Sequence, residues 1–277
     1  MFSLNLQGRL VEFPRPAIMA IINATDDSFY SASRCADADA ISRRAEQVIS
    51  EGADIIDLGA YSSRPGAEEV STEAEKRRLV DAVKAVRRVS REIPVSVDTF
   101  RASVAQAALE AGADIINDIS GGLADPEMDA LIARENTPYV MMHMRGTPQT
   151  MQQFTDYSAE GSVTAAVMTF FAQRIAELTA KGATQVILDP GFGFAKTLEQ
   201  NWQLMRELEL ICRTFPQPVL VGISRKSMFY KPLGLTPAEV LPATITANIL
   251  AIQAGAKIIR VHDPAPALQS IETLRML

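Results

Sequence analysis

Cysteine is nearly missing from this 277-residue chain, with two in all. Cys35 and Cys212 stand far apart and outside any Cys-x-x-Cys pair. That argues against a disulfide framework or a thiolate zinc site and leaves packing or accident as the reading of each cysteine. Histidine is equally scarce, at two residues, and no His-x-x-x-His spacing is present to build a zinc enzyme. Basic charge is not in excess. With 27 Lys and Arg against 33 Asp and Glu, the net charge is -6, so no overall positive field exists for nucleic acid and any anion must be held locally. No uninterrupted apolar run reaches the ~18 residues of a spanning helix. The opening Met1 to Gln7 lacks the basic start and apolar core of a secretory signal. The expectation is a cytoplasmic protein with neither membrane nor nucleic acid as a partner.

What is present is a repeated local pattern. Gly-Ala is followed at once by a short apolar run ending on a polar side chain in Gly52-Ala53-Asp54-Ile55-Ile56-Asp57 and in Gly112-Ala113-Asp114-Ile115-Ile116-Asn117. The same pattern recurs from Gly182 to Asp189 and from Gly255 to His262. Glycine supplies a left-handed cap after a helix, and a β-branched run after it is a buried parallel strand. Eight such strands are expected, over Ala17 to Asn23, Ala53 to Gly59, Val95 to Thr99, Ala113 to Asp118, Tyr139 to Met144, Val186 to Pro190, Val219 to Ser224 and Lys257 to Asp263. Helical spacing fills the intervals, as over Ala40 to Ser50, Glu73 to Ser90, Ala102 to Glu110, Val163 to Ala180, Leu198 to Cys212 and Ala243 to Gln253.

Eight alternating units predict an α/β chain folded as a closed TIM (β/α)8 barrel, in one domain over residues 1–277. The alternation of apolar and polar residues from Ser3 to Phe13 around Gln7-Gly8 predicts a hairpin covering the barrel bottom. The competing fold, an open doubly wound sheet, is disfavoured because no Gly-x-Gly-x-x-Gly follows the first strand.

In such a barrel the site lies at the carboxyl ends of the strands. Those ends carry Asn23, Asp57, Asp98, Asn117, His143, Asp189, Ser224 with Arg225 and Lys226, and Arg260 with His262 and Asp263. Carboxylates and carboxamides spread over several strands suit a flat heterocycle rich in N–H donors better than a metal cluster. Ser62-Ser63-Arg64-Pro65-Gly66, Ser224-Arg225-Lys226-Ser227 and Arg260-Val261-His262 give the same mouth a cationic side, and loops seven and eight of a barrel are a frequent phosphate site. Phe192 and Phe194, in Asp189-Pro190-Gly191-Phe192-Gly193-Phe194, are expected to wall a ring. Together these features predict a ring bound deep and an anion held at the rim.

These strings resemble the dihydropteroate synthase family of pterin-binding enzymes. The resemblance rests on Asn23-Ala24-Thr25 through Asp27-Ser28-Phe29, Ser63-Arg64-Pro65-Gly66, Ser96-Val97-Asp98-Thr99, Ile116-Asn117-Asp118-Ile119, Met142-His143-Met144, Asp189 to Phe194, Ser224 to Ser227 and Arg260 to Asp263, in that order over nearly the whole chain. It implies a homodimeric barrel enzyme of folate biosynthesis whose p-aminobenzoate pocket sulfonamides also enter. Such an enzyme joins p-aminobenzoate to 6-hydroxymethyl-7,8-dihydropterin diphosphate and releases pyrophosphate. Carried over by position, Asp98, Asn117, Asp189 and Lys226 would hold the pterin, with Arg260 over its face. Asn23 would ligate Mg2+ and, with Ser63, Arg64, Arg260 and His262, would hold the diphosphate. Asp57 would orient this shell from behind, Ile119 and Met142 would touch substrate, and Phe194 with Ser227 would form the p-aminobenzoate pocket. A pterin barrel that transfers methyl groups would share the ring readers but has no need of Arg64, Lys226 and His262. An inactive pterin-binding paralogue is the other alternative. Against the family pattern, Asp26 replaces a proline, Tyr30-Ser31-Ala32-Ser33 replaces the end of the first loop, and Ala195 replaces a glycine.

Overall fold

The computed structural model describes residues 1–24, 38–61 and 70–276. An antiparallel hairpin, β1 (Phe2–Leu6) and β2 (Arg9–Phe13), opens the chain. The first half of the barrel then runs β3 (Ala17–Asn23), α1 (Ala38–Ser50), β4 (Ile55–Gly59), α2 (Thr72–Val89), β5 (Val95–Asp98), α3 (Ala102–Glu110), β6 (Ile115–Asp118) and α4 (Met128–Glu135). The second half runs β7 (Tyr139–Met142), α5 (Val163–Ala180), β8 (Val186–Asp189), α6 (Leu198–Arg206), α7 (Leu208–Thr214), β9 (Leu220–Val221), α8 (Ser227–Leu233), α9 (Leu241–Gln253), β10 (Ile258–Val261) and α10 (Pro264–Leu274). β3 to β10 form one parallel sheet in the order β8-β7-β6-β5-β4-β3-β10-β9. A bridge between Leu188 and Val219 closes it, with the Leu188 N–H donating to the Pro218 carbonyl at 2.9 Å. The result is the expected (β/α)8 barrel.

Side-chain alternation along each strand explains both its core and its mouth. Ile55, Ile115, Ile187, Leu220 and Ile258 point inward and pack as one bottom layer with Ala17, Met19 and Val140. Their sequence neighbours Ile56, Ile116, Leu188 and Ile259 point outward into clusters formed with the helices. Two residues beyond each inward isoleucine comes a polar side chain one layer higher: Asp57, Asn117, Asp189 and Arg260. The repeated Gly-Ala pattern therefore writes helix cap, floor residue, outer-wall residue and site residue in sequence.

The hairpin closes the floor. Gln7 and Gly8 both take positive φ, 52° and 90°, as a two-residue type I′ turn requires. Leu4, Leu6 and Phe13 are buried against the bottom layer, and Phe2 stacks on Phe13 with ring centroids 4.6 Å apart.

Several element boundaries differ from the sequence expectation. Of the strand expected over Val219 to Ser224, Leu220–Val221 forms the ladder and Val219 the single bridge to Leu188, because the chain beyond Val221 turns into the site. The helix expected from Leu198 to Cys212 breaks at Glu207, an arrangement in which Leu204, Leu208 and Ile211 are all fully buried in one cluster. Cys212 packs beside that cluster and carries a free thiol, pushed up to about 11 chiefly by burial. Among the described residues no helix is long and apolar enough to cross a membrane.

Candidate active site

Above the hydrophobic floor lies a cavity of about 580 Å³ lined by Asn23, Asp98, Asn117, Asp189, Lys226 and Arg260 among others. That size is ordinary for a small-molecule site. Its base is an ion cluster. Asp57, wholly buried, takes the Arg260 Nε–H on Oδ2 at 2.6 Å, and the same oxygen accepts from Asn117 Nδ2 at 3.1 Å. Arg260 Nη2 reaches Asp98 Oδ2 at 3.1 Å, and the Tyr61 hydroxyl donates to Asp98 Oδ1 at 3.1 Å. Burial, opposed by Arg260 and reinforced by Asp57, lifts the Asp98 carboxyl to about 7. For Arg260 the desolvation works against the charge, but Asp57 and Asp98 outweigh it and hold the guanidinium above its ordinary value. Asp57 Oδ1, although buried, has no hydrogen-bond partner among the described residues.

The cationic side is built by β9 and β10 and the loops that follow them. His262 Nδ1 lies 2.9 Å from Ser224 Oγ, which also accepts the His262 backbone N–H at 3.3 Å. Burial first, then Arg260, Arg225, Arg44 and Lys226, push the imidazole down to about 3, so it is neutral at pH 7. Lys226 donates to the Phe192 carbonyl and lies 4.7 Å from the centroid of the Phe194 ring. Burial brings its ammonium to about 8, with Asp189 opposing.

The loop after β8 is held by two lysines. Lys226 takes the Phe192 carbonyl, while Lys196 Nζ reaches the carbonyls of Gly191 at 2.9 Å and Phe194 at 3.0 Å and approaches His143 Nδ1 at 3.1 Å. Burial lowers Lys196 to about 7, and burial together with Lys196 and Arg145 drives His143 well below its ordinary range. Gly191, at φ 71°, admits no side chain, since a Cβ there would run into the His143 carbonyl. Asp189 Oδ1 accepts the Gly191 N–H at 2.8 Å, and Asn201 Oδ1 accepts that of Gly193 at 2.6 Å. A capping box between Thr197 and Gln200 then starts α6.

Comparison with known proteins agrees with this geometry. The model of the pterin binding enzyme family matches residues 19–262. The dihydropteroate synthase of Synechocystis sp. is 43% identical over 252 residues, covering 90% of this chain and 86% of its own length. The chain belongs to the pterin binding enzymes. Within that family, the crystal structure of the Yersinia pestis dihydropteroate synthase with a sulfonamide drug complex superposes with a TM-score of 0.91 at 34% identity, covering 99% of both chains. The Thermus thermophilus dihydropteroate synthase in complex with 4-aminobenzoate does so with a TM-score of 0.87 at 36% identity, over 100% of each.

Of the residues expected from sequence, this pterin binding enzyme brings Asn23, Asp98, Asn117, Ile119, Met142, Asp189, Phe194, Lys226, Ser227, Arg260 and His262 to the one cavity, with Asp57 beneath them. Three expectations need correction. His143 does not face the mouth: Met142 points inward, so the next residue turns outward, packs edge to face on Phe170 at 5.2 Å and meets Lys196. Phe192 is fully buried in the outer core, so Phe194 alone of the pair lines the cavity. Arg225 is not an open anion ligand, since it forks onto Asp263 at 2.8 and 2.9 Å and donates to the Pro237 and Ala238 carbonyls at 2.7 and 2.8 Å. Ser63, Arg64, Asp26 and Tyr30 to Ser33 lie outside the described residues. Sequence reading missed Tyr61 and the clamping role of Lys196. A tyrosine two residues past the strand that carries Asp57 was the available signal for the first.

Proposed function

We infer that this chain is a dihydropteroate synthase, condensing 6-hydroxymethyl-7,8-dihydropterin diphosphate with p-aminobenzoate to give dihydropteroate and pyrophosphate. The observation that carries this reading is the polar layer of Asp98, Asn117 and Asp189, set directly on an apolar floor with Lys226 and Arg260 beside it. Acceptor oxygens on three strands match the N–H edge of a pterin, and Lys226 serves the ring as a donor. Arg260 is fixed by Asp57 and Asp98 in a pose it need not search for.

Breaking the pterin CH2–O bond develops positive charge on the ring and negative charge on pyrophosphate, so the site accelerates the reaction by stabilising both as they separate. Carboxylates beneath the ring favour the cation. His262, neutral, offers the leaving group an N–H rather than a charge when Ser224 donates to its Nδ1, while Arg260 and Lys226 supply the positive field. The amine nitrogen of p-aminobenzoate attacks the methylene carbon from beside Phe194 and Ser227, and the resulting ammonium passes one proton to the released pyrophosphate or to water.

Mg2+ is the proposed cofactor. Among the described residues no group of three or more His, Cys, Asp or Glu could cage a metal. Asn23, however, places a neutral oxygen at the mouth, with Oδ1 3.3 Å from where a Gly59 Cβ would stand. One protein oxygen suits an ion that keeps its water and takes phosphate oxygens, so the donor set fits Mg2+ carried on the diphosphate. When bound, it would neutralise charge on the departing pyrophosphate. A homodimer goes with this reading, supported by exposed Leu233, Leu235 and Leu250 on and beside α8 and α9, as does a cytoplasmic location.

The test is pyrophosphate release from the pterin diphosphate with Mg2+, with and without p-aminobenzoate, followed by detection of dihydropteroate. Product that requires both substrates is the expected result. Pterin binding without product would reject the synthase in favour of a pocket that has lost its chemistry.

A further inference from the structure

Both oxygens of Asp98 are engaged, and by different elements. Oδ2 takes Arg260 from β10, and Oδ1 takes the hydroxyl of Tyr61, just past the end of β4. Tyr61 is half-buried and lines the cavity. Its ring stands edge to face with Phe100 at 5.4 Å and 83°, and both residues pack against the cluster of Ile119, Met142, Met144, Met151 and Ala195. Phe100 is fixed in turn by the guanidinium of Arg101, 5.2 Å from its centroid, and Arg101 pairs with buried Glu75. A hydroxyl at the end of so constrained a ring has little freedom other than to meet Asp98.

We propose that Tyr61 is a positioning residue of the pterin site, whose hydroxyl sets the plane of the Asp98 carboxylate and holds it as an acceptor for the ring's N–H groups. Arg260 alone would leave the carboxylate free to pivot about its one bonded oxygen. With a second donor on Oδ1, the plane is defined by two contacts and the remaining lone pairs are aimed before substrate arrives, which is what preorganisation requires. The hydroxyl also favours the ionised carboxylate, the form that accepts from N–H. Among the described residues the charged groups acting on Asp98 are Arg260 on β10, Asp57 on β4, Glu75 on α2 and Lys226 before α8, and burial acts against its charge. Tyr61 itself is kept protonated, chiefly by burial and then by Asp98, so it donates throughout the working pH range.

The proposal rests on Asp98 as a ring reader, and the experiment separates the two claims. Steady-state kinetics and calorimetric binding of the pterin diphosphate are measured for Tyr61→Phe, Phe100→Leu and Asp98→Asn. Losing a hydrogen bond to a charged group corresponds to about tenfold or somewhat more. Tyr61→Phe is therefore expected to raise KM for the pterin diphosphate about tenfold, with KM for p-aminobenzoate nearly unchanged. It should also move the acidic limb of the kcat/KM profile to higher pH, because the carboxylate has lost a donor. Phe100→Leu, which frees the ring but keeps the hydroxyl, is expected to shift both readouts the same way by a smaller factor. An unmoved acidic limb and unchanged pterin affinity in Tyr61→Phe would overturn the positioning role while Asp98→Asn still abolished binding. Asp98→Asn with wild-type pterin affinity would overturn the ring-reading assignment and the proposal with it.

Discussion

Two buried charged nodes flank the cavity, and they are satisfied in opposite ways. At the base, Arg260 is matched by the carboxylates of Asp57 and Asp98. Behind the β8 loop, Lys196 meets neutral acceptors, the carbonyls of Gly191 and Phe194 and the imidazole of His143. Opposite charges compensate the desolvation of the first node, so Arg260 is held charged. Carbonyl dipoles compensate it only in part at the second, so Lys196 stands near half-ionisation at neutral pH. The first node holds Asp98 and Arg260, two of the groups proposed to read the ring. The second folds the loop that carries Phe194. One cavity thus combines a wall built on an arginine that stays charged with a wall whose lysine clamp titrates near neutral pH.

The sharpest way to break this comparison is Asp57→Asn. It leaves Asp98 as the one carboxylate hydrogen-bonded to Arg260 among the described residues, and removing one partner of a buried ion pair costs about 3–5 kcal/mol. Denaturant unfolding is expected to show a loss of that order, with kcat/KM for pyrophosphate release down by about 100-fold or more. A loss below about 1 kcal/mol would mean that Asp98 alone supports the arginine.

Lys196→Met should have an intermediate effect. It leaves the Gly191 and Phe194 carbonyls without their donor, a cost of about 1–3 kcal/mol, and should raise KM for p-aminobenzoate more than KM for the pterin diphosphate. The node also predicts a pH signature. The folded lysine titrates at about 7 against an ordinary 10.5, so between those values the unfolded chain binds more protons. Wild-type stability should rise across that window, and Lys196→Met should lose this part of the rise. Parallel stability–pH curves for the two proteins would refute the depressed lysine.

The smallest effect is expected at Ala195, which sits at φ 49°, where an alanine costs roughly 1–2 kcal/mol. Ala195→Gly removes that strain but adds about 0.5–1 kcal/mol of unfolded-state freedom. Thermal unfolding should therefore show a gain of no more than about 1.5 kcal/mol. A larger gain would place strain in the whole β8 loop rather than in one residue.

Where strand periodicity operates, the site was legible in the sequence. The step from Ile55 to Asp57, from Ile115 to Asn117 and from Ile187 to Asp189 follows from a two-residue repeat, and with it the floor, the wall and the polar layer. The same parity, applied to Met142, would have turned His143 away from the mouth. In the loops no period applies. Gly191 and Gly193 both take positive φ, so Phe192 and Phe194, although two apart, face different surroundings. Lys196 gave no signal in the sequence because nothing local announces the acceptors that converge on it only after folding. Tyr61 was hidden for the same reason, since its partner Asp98 is 37 residues away.

The barrel's closure also divides it by expected mobility. β3 and β4 share a five-residue register, whereas β8 and β9 are joined by one bridge. Amide protons along that seam should exchange with solvent sooner than those of β3 to β6, because fewer ladder bonds must open there. The seam separates the β8 loop with Phe194 from the β9 loop with Lys226 and Ser227. Breathing along it would move Phe194 and Asp189 relative to Lys226 and Ser227 while Asp98 and Asn117, on β5 and β6, keep their places, so that one side of the cavity is stiff and the other compliant.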